Sequence, residues 1–104
     1  MNASHMESEV RDRALALYRG DVDGVVAWLV ARGCTDVERN GGVVALTGYS
    51  GVRVGIAGGD PIACAASIAL ALYGILWPAV LPGVLKSVAV VWEAETKAAR
   101  RSVA

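Results

Sequence analysis

The chain has 104 residues, with ten basic and ten acidic side chains, so its formal net charge is zero. This length corresponds to one domain, of which 55 % of the residues are hydrophobic and 19 % are charged. That balance excludes an intrinsically disordered chain, and the zero net charge argues against a nucleic-acid-binding protein. Two cysteines are too few for a disulfide-rich scaffold or a four-cysteine zinc site.

The first six residues, Met1–Met6, have the composition of an expression leader, and we assign a single α+β domain to residues 7–104. The histidine of the chain, His5, falls in that leader, so the domain lacks the commonest general base and metal ligand. The charged segment after it has no apolar run typical of a signal peptide. We therefore expect a cytoplasmic protein with free thiols at Cys34 and Cys64. The abundance of Ala, Val, Gly and Arg is typical of a bacterial or phage gene.

Two helices are predicted near the N-terminus, over residues 7–19 and 22–32. Apolar residues recur there every three or four positions, as on one face of a helix. Gly20 and Gly33 follow these segments, where a left-handed backbone often ends a helix. Asp21 is the predicted N-cap of the second helix, because its carboxylate can accept from the free N–H groups of the first turn.

Three short strands are predicted next, over residues 35–39, 43–47 and 52–56. Asn40-Gly41, between the first two, is typical of a type I′ hairpin turn. The order of strands and turns predicts a three-stranded antiparallel meander. Alternation along the third strand places three apolar residues on one face: Val52, Val54 and Ile56.

Two apolar helices are predicted after the sheet, over residues 61–77 and 83–101. The first has an acidic N-cap, Asp60, followed by a proline at its first helical position. Pro78 and Pro82 are expected to separate the two helices, since proline breaks a helix interior. The predicted fold class is α+β, with two N-terminal helices, the meander and two C-terminal apolar helices.

The segment over residues 61–85 contains no charged side chain, so it must be buried in protein or in lipid. Three interpretations are open. The segment is a central core helix, it is completed by a second subunit, or it crosses a membrane. A chain of this size has little material to surround an apolar helix, which favours a second subunit. A membrane span needs about 20 apolar residues, and residues 62–85 meet that length.

Two apolar stripes are the predicted interface of a homodimer. The first, on the helix over residues 61–77, consists of small side chains that allow close approach of another helix: Ala63, Ser67, Ala71 and Gly74. The second lies on the last helix and contains larger side chains: Val84, Val88, Val91 and Trp92. Two further aromatic residues are predicted to bind a protein partner, because Trp and Tyr often anchor interfaces: Trp28 and Tyr49.

The sequence contains no recognisable catalytic arrangement. Cysteine and serine side chains are present without a histidine to activate them, and Cys64 in an apolar helix is expected to be a packing residue. Asp21 and Asp23 together offer too few ligands for a metal ion. The glycine-rich segment over residues 55–59 does not match a complete phosphate-binding pattern. We expect no cofactor and no bound metal.

The predicted order of a helix, three strands and a helix over residues 22–77 resembles double-stranded RNA-binding domains and small toxins built like them. The resemblance implies a lysine cluster at the start of the last helix, where this chain has Asp60-Pro61-Ile62-Ala63. For the toxins it implies a catalytic histidine, which the domain lacks. We therefore assign the chain to no family.

These observations predict a small non-enzymatic protein-interaction module of bacterial or phage type, a homodimer that buries its apolar C-terminal helices. The expected partners are a second copy and an unidentified protein, and nucleic acid is not expected. One alternative is a membrane-associated protein with a span or helical hairpin at 62–92. The other is a small-ligand-binding domain or enzyme with an apolar pocket between the sheet and the helix that follows it.

Overall fold

The computed structural model describes the backbone of residues 3–74 and 77–102, and the side chains of residues 8–74, 78–79, 81–86 and 88–98. In chain order its elements are α1 (Ala3–Tyr18), α2 (Val22–Ala31), β1 (Thr35–Asn40), β2 (Val43–Thr47), a 3₁₀ turn (Tyr49–Gly51), β3 (Arg53–Ile56), α3 (Pro61–Tyr73) and α4 (Trp77–Ser102). The predicted α+β fold class is confirmed.

The N-terminal helices end one residue before the predicted positions, at Tyr18 and Ala31. Gly20 and Gly33 adopt the left-handed backbone expected there, with φ of +100° and +109°. Asp21 caps α2, since its carboxylate accepts from the Gly24 N–H at 3.0 Å. α1 begins earlier than predicted and includes residues 3–6 of the predicted leader, whereas residues 1 and 2 lie outside the described residues.

The sheet is an antiparallel meander in the order β1-β2-β3, as predicted. Asn40 pairs with Val43, so the loop between β1 and β2 consists of Gly41 and Gly42. Among these loop residues Gly41 has a positive φ, of +65°, and Gly42 does not. That pattern is typical of a type II′ turn, and the predicted type I′ turn at Asn40-Gly41 is wrong.

The core lies between the inner face of the sheet and the helices. On the sheet it includes Val44, Leu46, Val54 and Ile56, so the predicted alternation of the third strand is confirmed. α3 is the central helix and contacts α1, α4 and β3. Among the described residues the buried side chains are all apolar, so the core contains no buried charged or polar side chain.

α3 ends four residues before the predicted position, at Tyr73. Gly74 follows with a φ of +57° and stops the helix. A Cβ atom at this position would lie 2.9 Å from the carbonyl oxygen of Tyr49, which is closer than real Cβ contacts. Residues 75 and 76, which the sequence predicted to continue the helix, lie outside the described residues.

α4 begins at Trp77 and continues through Pro82, so the predicted start at residue 83 is wrong. Pro78 lies in the first turn, where a backbone N–H has no partner within the helix and its loss is harmless. Pro82 removes one hydrogen bond close to the helix start, and the packing of α4 against α1 and α3 maintains the helix there. Among the described residues, no helix is both long and apolar enough to cross a membrane.

Candidate interaction surface

β3 is an edge strand, and within residues 3–74 and 77–102 no fourth strand pairs with it. The N–H of Gly48 donates to the carbonyl of Val52 over 2.8 Å, just before β3 begins. Hydrogen-bonded and non-bonded pairs alternate along an antiparallel ladder. The backbone of Val54 therefore bonds β2, whereas Arg53 and Gly55 direct their N–H and C=O groups to the open side of the sheet.

A groove of about 380 Å³ lies between this open edge and α3. On the helix side it is lined by residues spaced as neighbours on one helical face: Ala63, Ala66, Ser67 and Leu70. The Ser67 hydroxyl donates to the carbonyl of Cys64 at 3.0 Å, so its polarity is satisfied within the helix. Ile62, beside Ala63 in the chain, is 60 % exposed. We call this surface, formed by residues 53–55 and this face of α3, the edge groove.

The guanidinium of Arg53, the charged side chain of β3, is turned away from the open edge. It lies across the outer face of the sheet and donates to the Asp36 carbonyl at 2.6 Å, the Thr47 hydroxyl at 3.0 Å and the Glu38 carboxylate at 3.2 Å. These three acceptors belong to β1 and β2. A charge extended over an edge strand commonly blocks pairing with another chain, and Arg53 does not block it in this position.

Two local features fix α3 beside β3. Asp60 is the N-cap, as predicted, because its carboxylate accepts from the Ala63 N–H at 2.8 Å. At the other end, a Cβ atom on Gly48 would lie 2.4 Å from the carbonyl oxygen of Ala71. The absence of a side chain at Gly48 therefore allows the end of α3 to approach the chain between β2 and β3.

The structure divides the predicted interface residues into two groups. The first lies at the surface: Ala63 and Ser67 line the edge groove, Val91 is half-buried, and Trp92 is 40 % exposed. The second lies inside the chain's own core: Ala71, Gly74, Val84 and Val88.

The second group is buried for two reasons. The 3₁₀ turn covers the last turn of α3, which contains Ala71, and Gly74 just after it, and α4 directs Val84 and Val88 to the core. These four positions cannot touch a second chain in this conformation. The predicted small-residue stripe therefore contributes only its first half to the surface.

The two predicted partner-binding aromatics differ in their surroundings. Trp28 packs against the core and contacts the guanidinium groups of Arg13 and Arg32, at 5.1 and 5.0 Å from the centre of its ring. Tyr49 is 65 % exposed and lines a cavity of about 60 Å³ beside Cys34. A partner-binding role for either residue stays a prediction, and Tyr49 is the more accessible of the two.

The two cysteines are free thiols, and both are buried. Burial raises the pKa of the Cys34 thiol. Burial also raises the pKa of the Cys64 thiol, which a backbone hydrogen bond with Gly59 lowers to a smaller extent and the nearby Asp60 carboxylate raises least of all. Both therefore remain protonated thiols near neutral pH. In the described part of the chain, no three His, Cys, Asp or Glu side chains lie close enough to hold a metal ion.

Sequence patterns alone did not identify Ala66, Leu70 and Gly55 as surface residues. The helical spacing of Ala66 and Leu70 from Ala63 could have suggested a shared face. The open edge at Gly55 could not be inferred, because it depends on which strand lacks a neighbour. Comparison with protein families, with curated proteins and with solved structures found no match to this chain.

Proposed function

We propose that this protein is a non-enzymatic interaction module that acts as a homodimer, and that the edge groove is its contact surface. The observation that supports this is the open edge of β3 beside a small, apolar face of α3. This revises the expectation from sequence in one respect. The second copy contacts the edge groove. The buried members of the predicted stripes already pack within one chain: Ala71, Gly74, Val84 and Val88.

An open edge strand presents backbone donors and acceptors that another strand can pair with. β1, the other edge, is interrupted by a bulge between Thr35 and Glu38, whereas the register of β3 against β2 is regular. The backbone of β3 is regular, and the guanidinium of Arg53 does not cover its open edge. β3 is therefore the better template for a second strand.

The strand alone is too small for a stable contact. A standard interface buries about 800 Å² on each partner, which is roughly an eighth of the 6097 Å² surface of this chain. Four strand residues cannot supply that area. The face of α3 and the exposed side chain of Ile62 extend the surface next to the strand, and the small side chains allow a second helix to approach closely.

Charge does not oppose the association of two copies. The chain has a net charge of zero, so there is no long-range repulsion between identical molecules. The guanidinium of Arg53, near the contact, bonds acceptors of its own chain.

The proposal is tested by measuring molar mass with light scattering after size exclusion, over a range of protein concentrations. The wild type is expected to form a dimer. Ala66→Arg places a charge in the edge groove and is expected to yield a monomer, because a charge buried without a partner is strongly unfavourable.

Ala27→Arg is the matched control, since Ala27 is an exposed alanine on α2. It is expected to remain dimeric and to unfold within about 0.5 kcal/mol of the wild type. Ala66→Arg is expected to lose the stabilisation that association gives the folded state, and to unfold like the wild type diluted below its dissociation constant. A wild type that stays monomeric at every concentration would contradict the proposal, and so would a dimeric Ala66→Arg variant. A co-purifying small molecule, seen by native mass spectrometry with a monomeric protein, would favour the ligand-binding alternative.

A further inference from the structure

We infer, on the basis of the self-association proposed above, that two copies pair β3 with β3 in antiparallel orientation around a two-fold axis beside Val54. The two three-stranded sheets then form one continuous six-stranded sheet. This assigns the strand, the register and the relative orientation of the two copies.

The register follows from the backbone groups that face the open side. Arg53 and Gly55 carry these groups, and they flank Val54 symmetrically. With the axis beside Val54, Arg53 of each copy pairs with Gly55 of the second copy, and all outward groups of β3 form hydrogen bonds. With the axis beside Arg53 or beside Gly55, that residue pairs with the same residue of the second copy. The other outward residue of β3 then has to pair with a residue that lies beyond the end of β3.

Side chains at the junction fit this register. Arg53 of one copy stands opposite Gly55 of the other, so the arginine meets no side chain and the two arginines do not face each other. On the inner face, the two Val54 residues form the non-hydrogen-bonded pair at the axis; each side chain is 5 % exposed, packs in the core of its own chain and borders the edge groove. Two β-branched apolar side chains are a favourable pair at such a position.

The helices are placed consistently by the same axis. Antiparallel pairing around Val54 keeps the inner faces of the two sheets on one side. α3 packs on that face in each copy, so the two small faces approach each other above the junction. Ala63, Ala66 and Ser67 leave room for this approach.

A second copy is the occupant that these features favour over an unrelated extended segment. It supplies the same outward groups at the same spacing, and one contact pairs both open edges at once. It also brings a second small helical face to cover the first, which an isolated strand would leave exposed.

The register is tested by disulfide formation between two single variants, Arg53→Cys and Gly55→Cys. In the inferred register these positions lie opposite each other in different copies, with Cα atoms about 5.5 Å apart, within the range that a disulfide spans. Two copies of the same position are roughly 8 Å apart, which is beyond that range. Oxidation is therefore expected to link a mixture of the two variants and to link neither variant alone.

The native thiols do not interfere with this measurement, because Cys34 and Cys64 are 5 % and 1 % exposed. Amide hydrogen exchange on the unmodified protein provides a second measurement. The amides of Arg53 and Gly55 are expected to become protected as the concentration rises, while the amide of Arg39 on β1 stays unprotected.

The outcomes separate the two proposals. A cross-link confined to the mixture, with concentration-dependent protection at Arg53 and Gly55, supports the register. A dimer that cross-links in a single variant, or that leaves these amides unprotected, overturns the register and leaves the self-association intact. A protein that is monomeric throughout overturns both.

Discussion

The two edges of the sheet are built differently. β1 has all six side chains exposed, a bulge between Thr35 and Glu38, and a positive φ of +53° at Asp36. β3 pairs regularly with β2, and its inner side chains are buried. A strand that is bulged and charged is a poor template for another chain. The contrast teaches that an edge left regular, apolar and beside a helix is a candidate contact surface, even in a chain without recognisable motifs.

A charged side chain of β1 also holds Arg53 away from the open edge of β3. Arg39 forms an ion pair with Asp23 at 2.7 Å, and Glu38 holds Arg53 at 3.2 Å. All four side chains are substantially exposed, and such pairs contribute about 0 to 1 kcal/mol to stability. Their effect is therefore positional: β1 draws the arginine of β3 across the sheet and away from the open side.

The largest expected effect is that of a proline on β3, which prevents a second copy from pairing with this strand. A proline on β1 is not expected to affect the dimer. Gly55→Pro removes an outward N–H and places a ring where the second strand would pair, while no bond to β2 is lost. Two hydrogen bonds disappear from the dimer, at about 1 kcal/mol each. The dissociation constant is expected to rise at least about thirtyfold, measured by sedimentation equilibrium.

Arg39→Pro is the matched control on β1. The two-residue loop makes Asn40 and Val43 a hydrogen-bonded pair, so the alternating ladder directs the N–H of Arg39 to the open side of β1. This variant loses an exposed ion pair and is expected to dimerise as the wild type does. An equal weakening by both prolines would show that the two edges do not differ in the way inferred.

A smaller weakening of the dimer is expected when a helix cap is removed. Comparing the caps of α2 and α3 shows which of these helices lies at the contact. Asp60→Ala and Asp21→Ala each remove a capping hydrogen bond, to Ala63 and to Gly24 respectively. Each is expected to lower the free energy of unfolding by about 1 kcal/mol in urea denaturation. Asp60→Ala alone is expected to weaken the dimer, because Ala63 lines the edge groove. A weaker dimer in Asp21→Ala instead would place the contact on α2.

The smallest expected effect concerns the arginine on the outer face. Thr47→Val removes one acceptor of the Arg53 guanidinium, which keeps its bonds to Asp36 and Glu38. The side chain then visits the open edge more often, and we expect the dimer to weaken by a factor of roughly two, equivalent to about 0.4 kcal/mol. Light scattering on a dilution series measures this change. A tighter dimer would mean that the arginine assists the contact.

Local signals in the sequence predicted most of the elements. The caps at Asp21 and Asp60 act over three or four residues, and Gly20 and Gly33 end helices by their own backbone preference. The turn after α3 was misplaced, because Gly74 is constrained by its contact with Tyr49, which is distant in sequence. Pro82 predicted a break that the packing of α4 overrides.

The candidate site was less predictable than the fold. Small residues at helical spacing are visible in the sequence, so Ala63 and Ser67 could be predicted as members of one helical stripe, and both line the edge groove. Ala71 belongs to the same stripe, but the 3₁₀ turn covers it, and no local pattern reports that contact. The orientation of Arg53 depends on acceptors from two other strands, so it could be determined only from the assembled sheet.

The small side chains on the outward face of α3 have a further consequence. Alanine loses no rotamer freedom when it is buried, and serine loses little, whereas long side chains lose up to about 2 kcal/mol each. The hydroxyl of Ser67 is already fixed by the carbonyl of Cys64, and β3 is already extended within its sheet. A contact between two such surfaces immobilises very little, so a modest area can sustain it, and association is expected to be fast because nothing has to refold first.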